Sequence, residues 1–135
     1  MVIRYLTRDE IETINKFLAI KYGFEHLVIK PGILDLCVES PKRVVFGQEI
    51  YPDKIEKAAA LMKEINKGHP FLHGNKRTAY AAASMFLELN GFLLSADTAA
   101  AVDLSFKTAV CSADVPDIFD WMKDFCSRTP WHPLV

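Results

Sequence analysis

Cysteine is scarce in this chain. Its three residues, Cys37, Cys111 and Cys126, are odd in number and lack pair spacing. That argues against a disulfide framework or a cysteine zinc site, and for free, mostly buried thiols in a reducing compartment. An excess of one charge is also missing. Sixteen basic residues stand against 17 acidic ones, a formal net charge of -1, so nothing calls for a nucleic-acid-binding surface. No apolar run is long enough to span a membrane, and Met1 to Glu10 has no apolar core of the kind a signal peptide needs. A cytoplasmic location is expected, with no membrane and no direct nucleic-acid partner. Internal repeats and low-complexity segments are lacking as well.

What remains is globular. The 135 residues are half hydrophobic and 24% charged, which is enough for one domain, residues 1–135, around a real core. Thr7 with Glu10 forms a capping box that predicts a helix through about Tyr22, stopped by Gly23. Ile11, Ile14, Phe17, Leu18 and Tyr22 share one face of it. Pro31-Gly32 reads as a break, followed by a short helix over Ile33 to Val38 with Leu34 and Val38 inward. Val44-Val45-Phe46 is β-prone with Gly47 as a break, so a small hairpin or an exposed loop is expected. Pro52 suits the first turn of a helix reaching about Asn66, with Ile55, Ala58, Ala59, Met62 and Ile65 as its apolar stripe. A further helix over about Asn75 to Asn90, crowded by Ala79, Ala82, Ala83, Phe86 and Leu87, is expected to be central and buried. Ser95 opens another through about Val110, and Asp114-Pro116 a last one carrying Ile118, Phe119, Trp121, Met122 and Phe125. The tail after Arg128, with two prolines, is not helical.

Between two of these helices lies the stretch that carries chemistry, Gly68 to Tyr80. A loop running into a helix N-terminus offers backbone N–H groups and a positive dipole end, which favour phosphate. Gly74 lets the backbone approach an anion, Asn75 can cap the helix, and Lys76 and Arg77 add positive charge. The same residues suit an ordinary capped turn. Cations at a helix N-terminus oppose the dipole, however, and make more sense if an anion arrives. His69, across the loop, is a candidate general base near neutral pH, or else a loop histidine bonded to backbone. With His73 it makes a His-x-x-x-His spacing, but no third ligand is evident and no zinc site is expected. His26 and His132 are isolated and read as surface residues.

The run His69-Pro70-Phe71-Leu72-His73-Gly74-Asn75-Lys76-Arg77-Thr78-Ala79 resembles the active-site motif of the Fic/Doc (Fido) family, His-Pro-Phe-x-(Asp/Glu)-Gly-Asn-(Gly/Lys)-Arg. Its ending is similar to that of the Doc-like "death on curing" toxin branch. Phe46-Gly47, Tyr51-Pro52 and Glu56-Lys57-Ala58-Ala59 upstream, and Phe86-Leu87-Glu88-Leu89-Asn90-Gly91 downstream, extend the likeness over about residues 5 to 95. The resemblance implies an all-α Fic-fold helical bundle of about six helices with a short β-hairpin flap. It implies His69 as general base, and Gly74, Asn75, Lys76 and Arg77 as the ATP phosphate site. It also implies Val44, Val45 and Phe46 as a flap that binds the target polypeptide by strand pairing.

Two positions depart from the family pattern. His73 stands where an acidic residue holds magnesium, and imidazole is a poor magnesium ligand. Three roles are open to it: ligand of a softer ion such as Mn2+, direct phosphate contact, or mark of a site that binds without turning over. Tyr80 stands where Fic adenylyltransferases have a second arginine, a change usual in the Doc branch. No stretch matches the family's inhibitory Ser/Thr-x-x-x-Glu-(Gly/Asn) helix, which points to control by a separate antitoxin chain. The resemblance thus implies a toxin of a toxin–antitoxin module, a kinase-type transferase with ATP and Mg2+ as cofactors. It would phosphorylate a Ser or Thr hydroxyl of a protein such as the translation factor elongation factor Tu. The alternatives are protein adenylylation (AMPylation) and a catalytically weak Fic-fold binding protein.

Overall fold

In the computed structural model, which describes residues 2–94 and 113–128, Thr7 opens the first helix through the expected capping box. Its hydroxyl accepts from the Glu10 N–H at 3.2 Å, and the Glu10 carboxylate accepts from the Thr7 N–H at 2.8 Å. Helix α1, Arg8–Tyr22, stops at Gly23, whose φ of 75° suits glycine. The buried face differs from the expected one. Ile11, Ile14, Asn15 and Ala19 are buried, whereas Phe17 and Tyr22 are exposed, Phe17 at 64%. Periodicity alone counts asparagine as outward. Here Asn15 has polar partners inside, and the buried stripe turns onto the i, i+4 row Ile11, Asn15, Ala19.

Pro31-Gly32 is not a break but the first turn of α2, Pro31–Glu39, because proline fits the N1 position. Leu34 and Cys37 are buried on it, and Val38 only partly. A 3-10 turn, Ser40–Lys42, leads to the hairpin of β1, Val44–Val45, and β2, Gln48–Glu49, paired antiparallel with Val44 opposite Glu49. Helix α3, Lys54–Gly68, is capped by the Asp53 carboxylate, which accepts from Ile55 N–H at 2.8 Å. Helix α4, Asn75–Leu89, packs along α3, and this pair is the centre of the molecule. Ala58 and Ala59 of α3, with Ala79, Ala82 and Ala83 of α4, are wholly buried, so the two backbones approach closely. Met62, Ile65, Phe86 and Leu87 close the layer, each worth about 1.5–3 kcal/mol on burial.

Helix α5, Val115–Lys123, packs on α3 and is fastened there by Lys63, 2.8 Å from the Asp114 carboxylate that caps it. A second two-stranded sheet pairs β3, Phe92–Leu94, antiparallel with β4, Cys126–Arg128, which follows α5. Sequence periodicity does not reveal strands of three residues. Asn90 closes the other end of α4 by bonding the Arg4 N–H and carbonyl, each at 2.9 Å. The described residues therefore form an all-α bundle with one short hairpin and a second two-stranded antiparallel sheet. The expected helix over Ser95 to Val110 and the tail from residue 129 lie outside the described residues. Among the described residues, no helix is long and apolar enough to cross a membrane.

Candidate active site

The site is built where α3 ends and α4 begins. Gly68 is the last residue of α3, and its missing Cβ admits the Ile33 methyl of α2, which a side chain there would overlap. Glycine is thus used for packing, and the left-handed C-cap position falls to His69, at φ 49° and ψ 58°. A non-glycine residue there is strained by roughly 1–2 kcal/mol. The His69 N–H bonds the Ile65 carbonyl at 3.1 Å, and its side chain is exposed.

The next residues are fastened on both sides. Pro70 and Phe71 are buried. The Pro70 carbonyl accepts from the Ile29 and Lys30 N–H groups at 2.9 and 3.1 Å, and Leu72 N–H donates to the Leu27 carbonyl at 2.9 Å. A bridge between Val28 and Phe71 completes this strip. Asn75 does not cap α4 with its side chain, contrary to expectation. Its amide spans Phe71 instead, accepting from that N–H at 3.0 Å and donating to that carbonyl at 2.8 Å. Gly74 is the N-cap, at φ 78°, and a Cβ on it would overlap the Phe24 ring. With no side-chain cap, the first N–H groups of α4 keep their capacity for an anion.

Asn15 joins α1 to this loop. Its amide donates to the His73 carbonyl at 3.0 Å and to the Thr78 hydroxyl at 2.9 Å, while its oxygen lies 2.7 Å from His26 Nδ1. A carbonyl can only accept, so the amide nitrogen must face His73, the oxygen must face His26, and His26 Nδ1 must carry a hydrogen. His26 is therefore no isolated surface residue. Its ring also lies 5.9 Å from that of Phe71.

Cations stand on both sides of the loop. Lys76 and Arg77 are exposed on the first turn of α4, and the Arg77 guanidinium lies 3.8 Å from the Tyr22 ring centroid. Lys30 Nζ lies 3.4 Å from the Gly68 carbonyl, next to His69. Tyr80, one turn further along α4, is half-buried, and burial pushes its hydroxyl above its ordinary pKa, so that position contributes no charge. Lys57 of α3 reaches the flap. Its side chain is 1% exposed, and Nζ bonds the Glu49 carboxylate at 2.8 Å and the Pro41 carbonyl at 3.1 Å. Burial works against the ammonium, but Glu49 and Tyr5 more than offset it and hold its pKa above the ordinary value.

Magnesium does not fit the residues present. From Ile65 to Leu87 there is no aspartate or glutamate, and the residue at the metal-holding position, His73, is an exposed imidazole edge-on to Phe24. Glu25, two residues before the strip that bonds the loop, is exposed, and among the described residues no group of three His, Cys, Asp or Glu could hold a metal. A hard divalent cation takes oxygen ligands, and manganese shares that preference.

The structure thus brings His69, Gly74, Asn75, Lys76 and Arg77 together at one helix junction, with His73 between them. Val44, Val45 and Phe46 stand on the exposed hairpin. Sequence reasoning missed Asn15, Tyr22, Phe24, His26 and Lys30. Only Asn15 left a signal, as a polar residue inside an apolar stripe.

Comparison with known proteins agrees with this geometry. A family model described as "Fic/DOC family" matches residues 5–87, from the lead-in to α1 to near the end of α4. Over 116 residues the chain is 39% identical to "Toxin Doc" of Mycolicibacterium smegmatis (strain ATCC 700084 / mc(2)155), covering 84% of this chain and 87% of that protein.

Proposed function

The chain belongs to the Fic/DOC family, and from that premise we propose that it is a toxin of a toxin–antitoxin module that transfers the γ-phosphoryl group of ATP to a protein hydroxyl. One observation carries the reading: an exposed His69 and an uncapped, cationic helix N-terminus face a common loop, held rigid from both sides. The first N–H groups of α4, with Lys76 and Arg77, receive the phosphates. The substrate oxygen attacks phosphorus, His69 takes its proton, and the bond to the bridging oxygen breaks so that ADP leaves with the electron pair. Fixed donors around the phosphoryl oxygens supply most of the rate. The exposed hairpin at Val44, Val45 and Phe46 presents the target by strand pairing. A translation factor such as elongation factor Tu is the target class the family suggests, and a separate antitoxin chain is the partner that restrains the enzyme. Lys76 and Tyr80, where adenylyltransferases have glycine and arginine, favour phosphorylation over adenylyl transfer.

The test uses purified protein, host-cell extract, and ATP labelled at the γ- or the α-phosphate, with His69→Ala alongside. Label from γ-ATP alone, lost in His69→Ala, is expected. Label from α-ATP would overturn phosphorylation in favour of adenylylation. His73 favours a second reading, a binding protein on a disabled enzyme. Under that reading neither label transfers, yet ATP still binds.

A further inference from the structure

We propose that this site binds its nucleotide as a metal-free anion, with side-chain cations doing what a divalent ion would do. The inference rests on the nucleotide-binding reading above and deepens it. A divalent ion at such a site has two tasks, to neutralise phosphate charge and to be held by anionic oxygen. Here the second task has no residue. An imidazole is neutral or cationic and never anionic, and His73 is flanked by a carboxylate-free run from Ile65 to Leu87.

The first task is already met by protein. Arg77 is spread over Tyr22 at 3.8 Å, an arrangement that fixes the guanidinium plane while its N–H donors remain available. Lys21 lies 5.5 Å from the same ring, so a second cation shares that corner. Lys30 holds the Gly68 carbonyl at 3.4 Å from the strip that pairs with the loop, which sets an ammonium at the turn that presents His69. Among the described residues Lys76 and Arg77 form no ion pair with a carboxylate, whereas Arg4, Arg8, Lys42, Lys57, Lys63 and Lys123 do. Like charges left together without counter-charge are destabilising until an anion joins them. A magnesium ion entering among them would add to that repulsion.

The test is calorimetric titration of ATP into the purified chain in EDTA, in excess magnesium and in excess manganese, with His73→Asp, Lys30→Ala and Arg77→Ala in parallel. The expected Kd of the natural protein is tightest in EDTA, weakens by at least about fivefold in excess magnesium or manganese, where nearly all ATP carries the metal, and weakens further as salt rises. His73→Asp is expected to bind at least about tenfold more tightly with magnesium than in EDTA. A natural protein that binds as tightly with either metal as in EDTA, or more tightly, overturns the inference. So does an unchanged Kd in both Lys30→Ala and Arg77→Ala. If the natural protein is silent while His73→Asp binds with magnesium, the inference falls and the nucleotide site stands. If neither binds ATP in any buffer, both fall together.

Discussion

The side-chain amide of Asn15 holds the backbone carbonyl of His73 at 3.0 Å. One residue of α1, a helix that supplies neither the proposed base nor the phosphate-facing N–H groups, thereby sets the height of the loop that does. The same amide reaches the Thr78 hydroxyl in the first turn of α4, so the loop and the helix it feeds are tied to one buried group. Both hydrogens of that amide are used, on His73 and Thr78, and its oxygen accepts from His26.

Removing this group leaves its partners unpaired. Asn15→Ala strands the Thr78 hydroxyl, which is fully buried, and loosens the His73 carbonyl; the expected loss is about 1–3 kcal/mol by urea denaturation. Thr78→Val removes one partner and orphans only one amide hydrogen, so its cost is smaller. The double variant should lose less than the sum of the two. Additive losses would show that the two side chains do not share the interaction.

Thiol chemistry reports on a different part of the core. Burial, and then the charge of Glu64, push the Cys37 thiol up to about 12, and burial pushes Cys126 up to about 11. Neither forms thiolate at about pH 8 in the folded protein, and reactivity belongs to the thiolate. Peptide mapping after iodoacetamide treatment should find Cys37 labelled only under conditions that unfold the chain. Labelling of Cys37 in native buffer at the rate of a free thiol would contradict its place on the buried face of α2.

These cases show why some of the molecule is legible in sequence and some is not. The alanines of α4 and the stripe of α3 follow helical periods, and the structure buries them as the spacing requires, except Ile55 in the first turn of α3, which is only partly buried. The loop between them stands out in sequence because glycine, histidine and paired cations coincide at a helix start, although the same residues also suit an ordinary capped turn. The fastening of that loop is a different matter. Asn15, His26 and Lys30 reach it through contacts distant in sequence, and no local period encodes a side chain bonded to a backbone carbonyl 58 positions away. His69 at the left-handed C-cap is illegible for a related reason, since Gly68 next to it looks like the natural stop until the Ile33 contact is known.

Acid should release one defined interaction. The Arg4 guanidinium, and then the Thr7 N–H, hold the Glu10 carboxyl down from 4.5 to about 2. A carboxyl lowered on folding stabilises above its unfolded pKa and loses that contribution as pH falls through the folded value. Glu10→Gln keeps an acceptor for the capping box and deletes only the charge. The natural protein should therefore be the more stable at about pH 7, and the two should converge between about pH 4.5 and about pH 2. A difference that stays constant over that range would mean the charge is not what stabilises.

The hairpin tip makes the sharpest prediction about the target. Phe46 is fully exposed and lies at φ 51°, followed by Gly47 at φ 76°. Two positive φ values in a two-residue hairpin turn call for asparagine then glycine, and a bulky aromatic there is strained by roughly 1–2 kcal/mol. A large apolar side chain kept in that conformation, wholly in water, stabilises nothing in the free chain. It does suit contact with a partner seated on the flap, whose base Lys57 anchors through Glu49 at 2.8 Å. Phe46→Asn should leave the hairpin as stable or up to about 1 kcal/mol more so, read from exchange of the Ile50 amide that bonds the Arg43 carbonyl at 3.0 Å. ATP affinity should not change, because the tip is no part of the anion loop. Transfer of label to protein should fall by at least about tenfold, the loss expected when a buried aromatic anchor is removed from an interface. Undiminished transfer by Phe46→Asn would remove the flap tip from target recognition, and would leave its strain without a function.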